Sequence, residues 1–102
     1  MINSKKVLFV CTGNTCRSPM AAAAFAHLCS REGVNHVEID SAGMNAREDL
    51  PVSDMARAVL SDRAIPLLRL RSQVLTGKLI NRADLVVTMT HEQRDAICTR
   101  YR

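Results

Sequence analysis

The residues best suited to chemistry stand together near the N-terminus, in the stretch Cys11-Thr12-Gly13-Asn14-Thr15-Cys16-Arg17-Ser18-Pro19. A thiol opens it, an arginine nearly closes it, and serine and proline lead into a run of helix formers. That order of types suits a tetrahedral oxyanion. A curled backbone presents N–H groups, a helix N-terminus adds a positive field, and Gly13 permits a tight curl. Arg17 can grip two oxygens at once. The same field favours the sulfur of Cys11 as an anion, which is its nucleophilic form. Ser18 can cap the helix and also donate its hydroxyl to that sulfur. The candidate catalytic residues are Cys11, Arg17 and Ser18, with Thr12, Gly13, Asn14, Thr15 and Cys16 around the bound oxyanion. The competing reading makes Cys11 a small buried residue at a strand end, and the flanking elements decide between the two.

Those elements are legible in the pattern of side chains. Val7 to Val10 is a short apolar run of mostly β-favouring residues that reads as a buried strand. Ser18 as N-cap, Pro19 at the first helical position and Met20 to Arg31 then predict a helix, with Gly33 as its stop. The loop thus joins strand to helix, the context in which a phosphate-binding turn works. Val37 to Asp40 predicts a second strand feeding a turn at Ser41-Ala42-Gly43. From Pro51 on, Val52, Met55, Ala56, Val59 and Leu60 form an amphipathic stripe, with Met55, like Met89, expected in the core. Thr76 to Arg82 predicts a short helix turning Leu79 and Ile80 inward, and Asp84 to Met89 a third buried strand. Thr90 and Gln93 match a capping box that opens a last helix holding Ala96 and Ile97, with His91 a polar residue of its first turn. Strand and helix in alternation predict an α/β fold, a parallel sheet between helical layers, with ligands beyond the carboxyl ends of the strands.

Composition narrows the class. The 102 residues make one domain, and 47% apolar with 24% charged residues is ordinary for a globular chain. The longest apolar run, Met20 to Ala26, is far short of the roughly 20 residues that cross a bilayer. No secretory leader precedes Val7, so the expected location is cytoplasmic and no membrane partner is expected. The net charge of +4, with 14 basic against 10 acidic residues, favours anionic partners. Its arginines are dispersed, and Phe9, Phe25 and Tyr101 are the only aromatics, so nucleic acid is not an expected partner. Cys11, Cys16, Cys29 and Cys98 do not form a disulfide framework, and the scattered His27, His36 and His91 do not complete a metal site. No metal or cofactor is expected, and Cys29 and Cys98 read as structural.

The string from Val7 through Pro19, then Met20-Ala21, Ser41-Ala42-Gly43, Pro51, Leu75-Thr76 and Ala83 to Thr90, resembles the low-molecular-weight protein phosphatases over nearly the whole chain. The resemblance implies a three-layer α/β/α fold with flavodoxin-like strand order and hydrolysis through a phosphocysteine formed on Cys11. Ser41 would support the loop. Thr15 resembles the threonine of bacterial protein-arginine phosphatases, where tyrosine-specific members have an aliphatic residue. Phosphoarginine and phosphotyrosine proteins are thus the implied substrates. Cys16 is either a small loop filler or, as the family pattern implies, a partner for a reversible disulfide with Cys11 under oxidation.

Departures from the family pattern carry expectations of their own. Leu70 stands where many members have a histidine that supports the loop asparagine, here Asn14, and Ala22 replaces a common glutamate. The family's Asp-Pro, which protonates the leaving group, does not occur in these 102 residues. The reading is a single phosphatase-like domain over 1–102, incomplete at its C-terminus, without the family's last strand and helix. Its turnover would be slowed, since a positioned acid contributes about 10²–10⁴-fold. The third strand would be an open edge, favouring self-association. Two alternatives stand beside hydrolysis. One is an arsenate reductase, which would need a relay cysteine such as Cys98. The other is a phosphate- or phosphoprotein-binding module without turnover.

Overall fold

A computed structural model describes residues 4–101. In chain order the elements are β1 (Lys5–Cys11), α1 (Arg17–Arg31), β2 (Val37–Gly43), α2 (Asp54–Asp62), α3 (Gly77–Arg82), β3 (Leu85–Thr88) and α4 (His91–Arg100). The strands form one parallel sheet in the order β2-β1-β3, the expected flavodoxin-like arrangement. Cys11 lies opposite Gly43, and Val10 opposite Thr88, so the carboxyl ends of all three strands meet at one edge of the molecule.

β1 is central and its side chains alternate between two cores. Leu8 and Val10 pack with Ala42, Leu75 and Ile97, sealed by Leu79 and Ile80 of α3 and Val86 of β3. Val7 and Phe9 pack with Ala22 of α1, flanked by Phe25, Ile39, Val87 and Met89. The Phe9 and Phe25 rings meet at 5.7 Å and a tilt of 59°, a favourable aromatic geometry. Helices therefore cover both faces, and the α/β/α layering follows from the alternation in β1. None of the helices among the described residues is long and apolar enough to cross a membrane.

Local chemistry explains where the elements stop. α1 is stopped just past its end by Gly33, whose φ of 72° lies in the left-handed region. The Val34 N–H then bonds the Cys29 carbonyl and the Gly33 N–H that of Ser30, closing the helix end in a Schellman arrangement. α3 and α4 start at Thr76 and Thr90, whose side chains accept from the third residue beyond, and at α4 Gln93 completes the box.

Several expectations need correction. α1 begins at Arg17 with Cys16 at its cap, so Ser18 is inside the first turn and Pro19 is its third residue. β2 continues through Ser41-Ala42-Gly43, which is strand and not turn, because it pairs with Phe9 to Cys11. α2 begins only at Asp54, capped by Ser53. Its buried side chains are Ala56 and Leu60, while Met55 is 73% exposed and not part of the core. Met89 does pack against the core. β3 spans only Leu85–Thr88, and it is not fully buried: Leu85 is 56% exposed and its other residues are half-buried. Cys29 is buried as expected of a structural residue, whereas Cys98 is exposed on α4.

Candidate active site

β1 delivers Cys11 to the end of the sheet with only 3% of its surface exposed, and the chain then curls through residues 12–16 into α1. The sulfur is gripped from two sides. The Asn14 N–H donates to it at 3.2 Å, and the Ser18 hydroxyl lies 2.9 Å away. Ser18 Oγ already accepts from Asn14 Nδ2 at 2.8 Å, which leaves its own proton for Cys11 Sγ. Ser18 thus serves the sulfur and not the helix cap. No side chain caps α1, so N–H groups of its first turn stay available to an anion at the mouth of the loop. Arg17, the first residue of the helix, is exposed there and forms no ion pair among the described residues.

The sharp turn falls on Asn14, not on Gly13. Asn14 has φ of 55° and is completely buried, and asparagine is among the few side chains that tolerate this region. Gly13 has no positive φ, and a Cβ there would meet only Thr15 Oγ1 at 3.7 Å. What holds Asn14 is its amide. Nδ2 donates to Ser18 Oγ and, at 2.9 Å, to Ser41 Oγ, while Oδ1 accepts from the Gln73 N–H at 2.8 Å. Both amide protons and the carbonyl are used, as burial demands. Among the described residues no buried side-chain nitrogen or oxygen lacks a partner.

The rest of the loop is pinned through its backbone. The Cys11 and Thr12 carbonyls accept from Met44 and Asn45 just beyond β2, at 2.8 and 3.0 Å, and the Thr15 carbonyl accepts from Ser53 at 2.7 Å. Gln93, from the capping box of α4, donates to Thr12 Oγ1 at 3.2 Å. Gly43 is indispensable for close approach: a Cβ on it would lie 2.6 Å from Ala46 Cβ, 2.7 Å from the Thr12 carbonyl oxygen and 3.0 Å from Asn14 Cβ. Cys16 is half-buried at the cap of α1, and Cys11, Cys16, Cys29 and Cys98 are all free thiols.

Behind Asn14 lies a charged layer that motif reading did not find. Asp40 pairs with Arg69 through two hydrogen bonds of 2.9 and 3.1 Å, and also accepts from the Ser41 N–H and from Gln73 Nε2. Burial pushes its carboxyl up, but the Arg69 hydrogen bonds and charge, the Ser41 amide and Gln73 together hold it below the ordinary value. The expected support position, Leu70, is 69% exposed; Gln73, three residues on, carries the contact to Asn14. Ser41 is brought to the loop as expected. Gln73, Asp40, Arg69 and Gln93 were not anticipated in this role. Only Gln93 left a trace in sequence, as half of a capping box.

Residues 6–102 match the family model described as low molecular weight phosphotyrosine protein phosphatase. Over 95 residues the chain is 42% identical to a protein-arginine-phosphatase of Bacillus subtilis, covering 93% of this chain and 62% of that one. It is 33% identical over 99 residues to an arsenate reductase of Bacillus cereus, covering 96% and 67%. A crystal structure of a YwlE mutant from Bacillus subtilis superposes with a TM-score of 0.89 at 41% identity, over 96% of this chain and 65% of that one. The chain spans about three-fifths of the length of the protein-arginine phosphatase it matches. With a parallel sheet ending in a cysteine cradled ahead of a helix, and a family model matched from residue 6 onward, the chain belongs to the low molecular weight phosphotyrosine protein phosphatase family.

Proposed function

We propose that the protein is a cysteine-dependent protein phosphatase that removes phosphate from phosphoarginine or phosphotyrosine through a phosphocysteine intermediate. The observation that carries this reading is the hold on Cys11 Sγ: the Asn14 N–H donates to it at 3.2 Å and the Ser18 hydroxyl lies 2.9 Å away, directly in front of the N-terminus of α1. Cys11, as the thiolate, attacks phosphorus, forming the S–P bond as the bond to the leaving oxygen or nitrogen breaks and that atom takes a proton from water. Arg17 and the N–H groups of the loop and first helical turn, apart from that of Asn14, which serves the sulfur, stabilise the equatorial oxygens. Water then cleaves the S–P bond, releasing inorganic phosphate and the free cysteine. Thr15 supports selection of phosphoarginine, and Cys16 protection of the nucleophile as a reversible disulfide. Four free thiols suit a reducing, cytoplasmic setting.

Phosphate release from an aryl phosphate and from a phosphoarginine peptide tests the reading. Activity lost in Cys11→Ala and cut at least about 100-fold in Arg17→Ala is expected, since a preorganised oxyanion donor is typically worth 10²–10³-fold. Activity persisting in Cys11→Ala refutes it. The likeness to an arsenate reductase favours one second reading, in which thiol-dependent arsenate turnover proceeds and disappears in Cys98→Ser. Phosphate affinity without any turnover would instead mark a binding module.

A further inference from the structure

The Asp40–Arg69 pair has the outward form of a surface ion pair, with side chains 41% and 36% exposed, and such pairs contribute little to stability by themselves. Its connections are unusual. All four donors on the Asp40 carboxylate come from the layer behind the loop. Oδ1 takes the Ser41 N–H at 2.8 Å and Arg69 Nε at 2.9 Å, and Oδ2 takes Arg69 Nη2 and Gln73 Nε2, each at 3.1 Å. Gln73 Nε2 also donates to the Ser41 carbonyl at 2.8 Å. Gln73 and Ser41 are in turn two of the three residues that hold the Asn14 side chain.

Asn14 is the residue whose position matters most to the sulfur. Its N–H reaches Cys11 Sγ only while its backbone stays in the left-handed region, which costs free energy that the side-chain bonds must offset. We propose that Asp40 and Arg69 are positioning residues for the reaction at Cys11, acting through Gln73 and Ser41 on Asn14. The idea rests on the phosphatase reading above for the reaction it serves. Gln73 makes the contact to Asn14, and Arg69 acts behind it through Asp40. Its planar fork fixes the carboxylate in one orientation, the carboxylate orients Gln73, and Gln73 presents its backbone N–H to Asn14 Oδ1. Without Arg69, Asp40 turns to solvent and Gln73 loses an anchor. Asn14 then relaxes and takes one donor away from the sulfur. Arg17 and the other loop amides remain, so affinity for the anion changes less than the rate of attack.

The test is pre-steady-state phosphorylation of Cys11 by an aryl phosphate, with the dissociation constant of inorganic phosphate and the Asn14 amide resonances measured on the same variants. In Arg69→Met the phosphorylation rate constant falls about tenfold, short of the roughly 100-fold that a 1 Å misplacement costs. Burst amplitude stays complete, phosphate affinity changes less than about threefold, and the Asn14 backbone and side-chain resonances move. Asp40→Asn acts in the same direction, and Arg69→Lys, which restores charge without the fork, recovers part of the rate. Unchanged rate constants and resonances in Arg69→Met and Asp40→Asn overturn the proposal. So does a fall in burst amplitude alone, which signals lost folding only. If the wild-type chain takes up no phosphoryl group, the phosphatase reading fails, and the Asn14 resonances still decide whether the brace exists.

Discussion

Gly43→Ala places one methyl group where the structure has no room, and the consequences can be worked from its neighbours. The new carbon would stand 2.6 Å from Ala46 Cβ and 2.7 Å from the Thr12 carbonyl oxygen, so close to 1 Å of movement is needed to reach ordinary contact. β2 cannot supply it, because Gly43 is paired with Cys11, its N–H bonds the Gln73 carbonyl, and its carbonyl accepts from Leu75. The loop must move instead, at the expense of the bond from the Asn45 N–H to Thr12. Overpacking of this kind costs about 1–3 kcal/mol and the lost hydrogen bond about 1 more, giving roughly 2–4 kcal/mol. A displaced Thr12 and Asn14 slow phosphoryl transfer to Cys11 by up to about 100-fold. Urea unfolding followed by circular dichroism measures the first effect, and single-turnover phosphorylation the second. Ala46→Gly in the same chain removes the shortest contact but leaves the carbonyl clash, so it recovers only part of either. A Gly43→Ala protein within about 0.5 kcal/mol of wild type that reacts at the normal rate would refute the reasoning.

Ser18→Ala removes a partner of Cys11 Sγ and strands one buried Asn14 amide proton, the other staying bonded to Ser41, so the phosphorylation rate of the folded protein falls about 10- to 100-fold and stability drops by about 1–3 kcal/mol. A normal phosphorylation rate constant in the folded fraction, with unfolding followed in urea, would contradict that. Thr90→Ala dissolves the capping box of α4 and costs about 1 kcal/mol, read from the urea midpoint. Asp40 is held below its ordinary value in the folded chain, so its stabilisation is complete above the ordinary carboxylate range and fades as pH falls through the folded value. Urea midpoints in Asp40→Asn therefore decline less on acidification than in wild type, and an identical decline would count against the brace. β3 has a strand neighbour on one side only among the described residues, with Leu85 at its exposed start. Sedimentation velocity is expected to show self-association that Leu85→Lys reduces.

The strand, loop and first helix were legible because their determinants are contiguous: an apolar run, then cysteine, glycine and arginine, then helix formers closed by Gly33. The partners that make the loop work are distant in sequence. Asn14 is held by Ser41, 27 residues on, and Gln73, 59 residues on, while Thr12 meets Gln93 across 81 residues. No periodicity encodes such contacts. Ser18 shows how a tertiary partner overrides a local preference: its hydroxyl is a good helix cap in isolation, yet Cys11 and Asn14 capture it. Met55 fits the stripe drawn from Pro51, but α2 begins three residues after Pro51 and buries only Ala56 and Leu60, so the extrapolated face is too wide. Ser41-Ala42-Gly43 has turn-like composition, yet it is strand because it pairs with Phe9 to Cys11, and at Gly43 the close loop leaves no room for a Cβ.

The central claim is that Cys11 carries phosphate covalently, and intact-protein mass spectrometry after rapid acid quench measures it directly. Wild type mixed with an aryl phosphate is expected to show one phosphoryl adduct, mapped by peptide analysis to Cys11, that forms within the burst of released phenol and is absent from Cys11→Ala. Phenol release without any adduct on Cys11, or the same adduct in Cys11→Ala, would contradict the account.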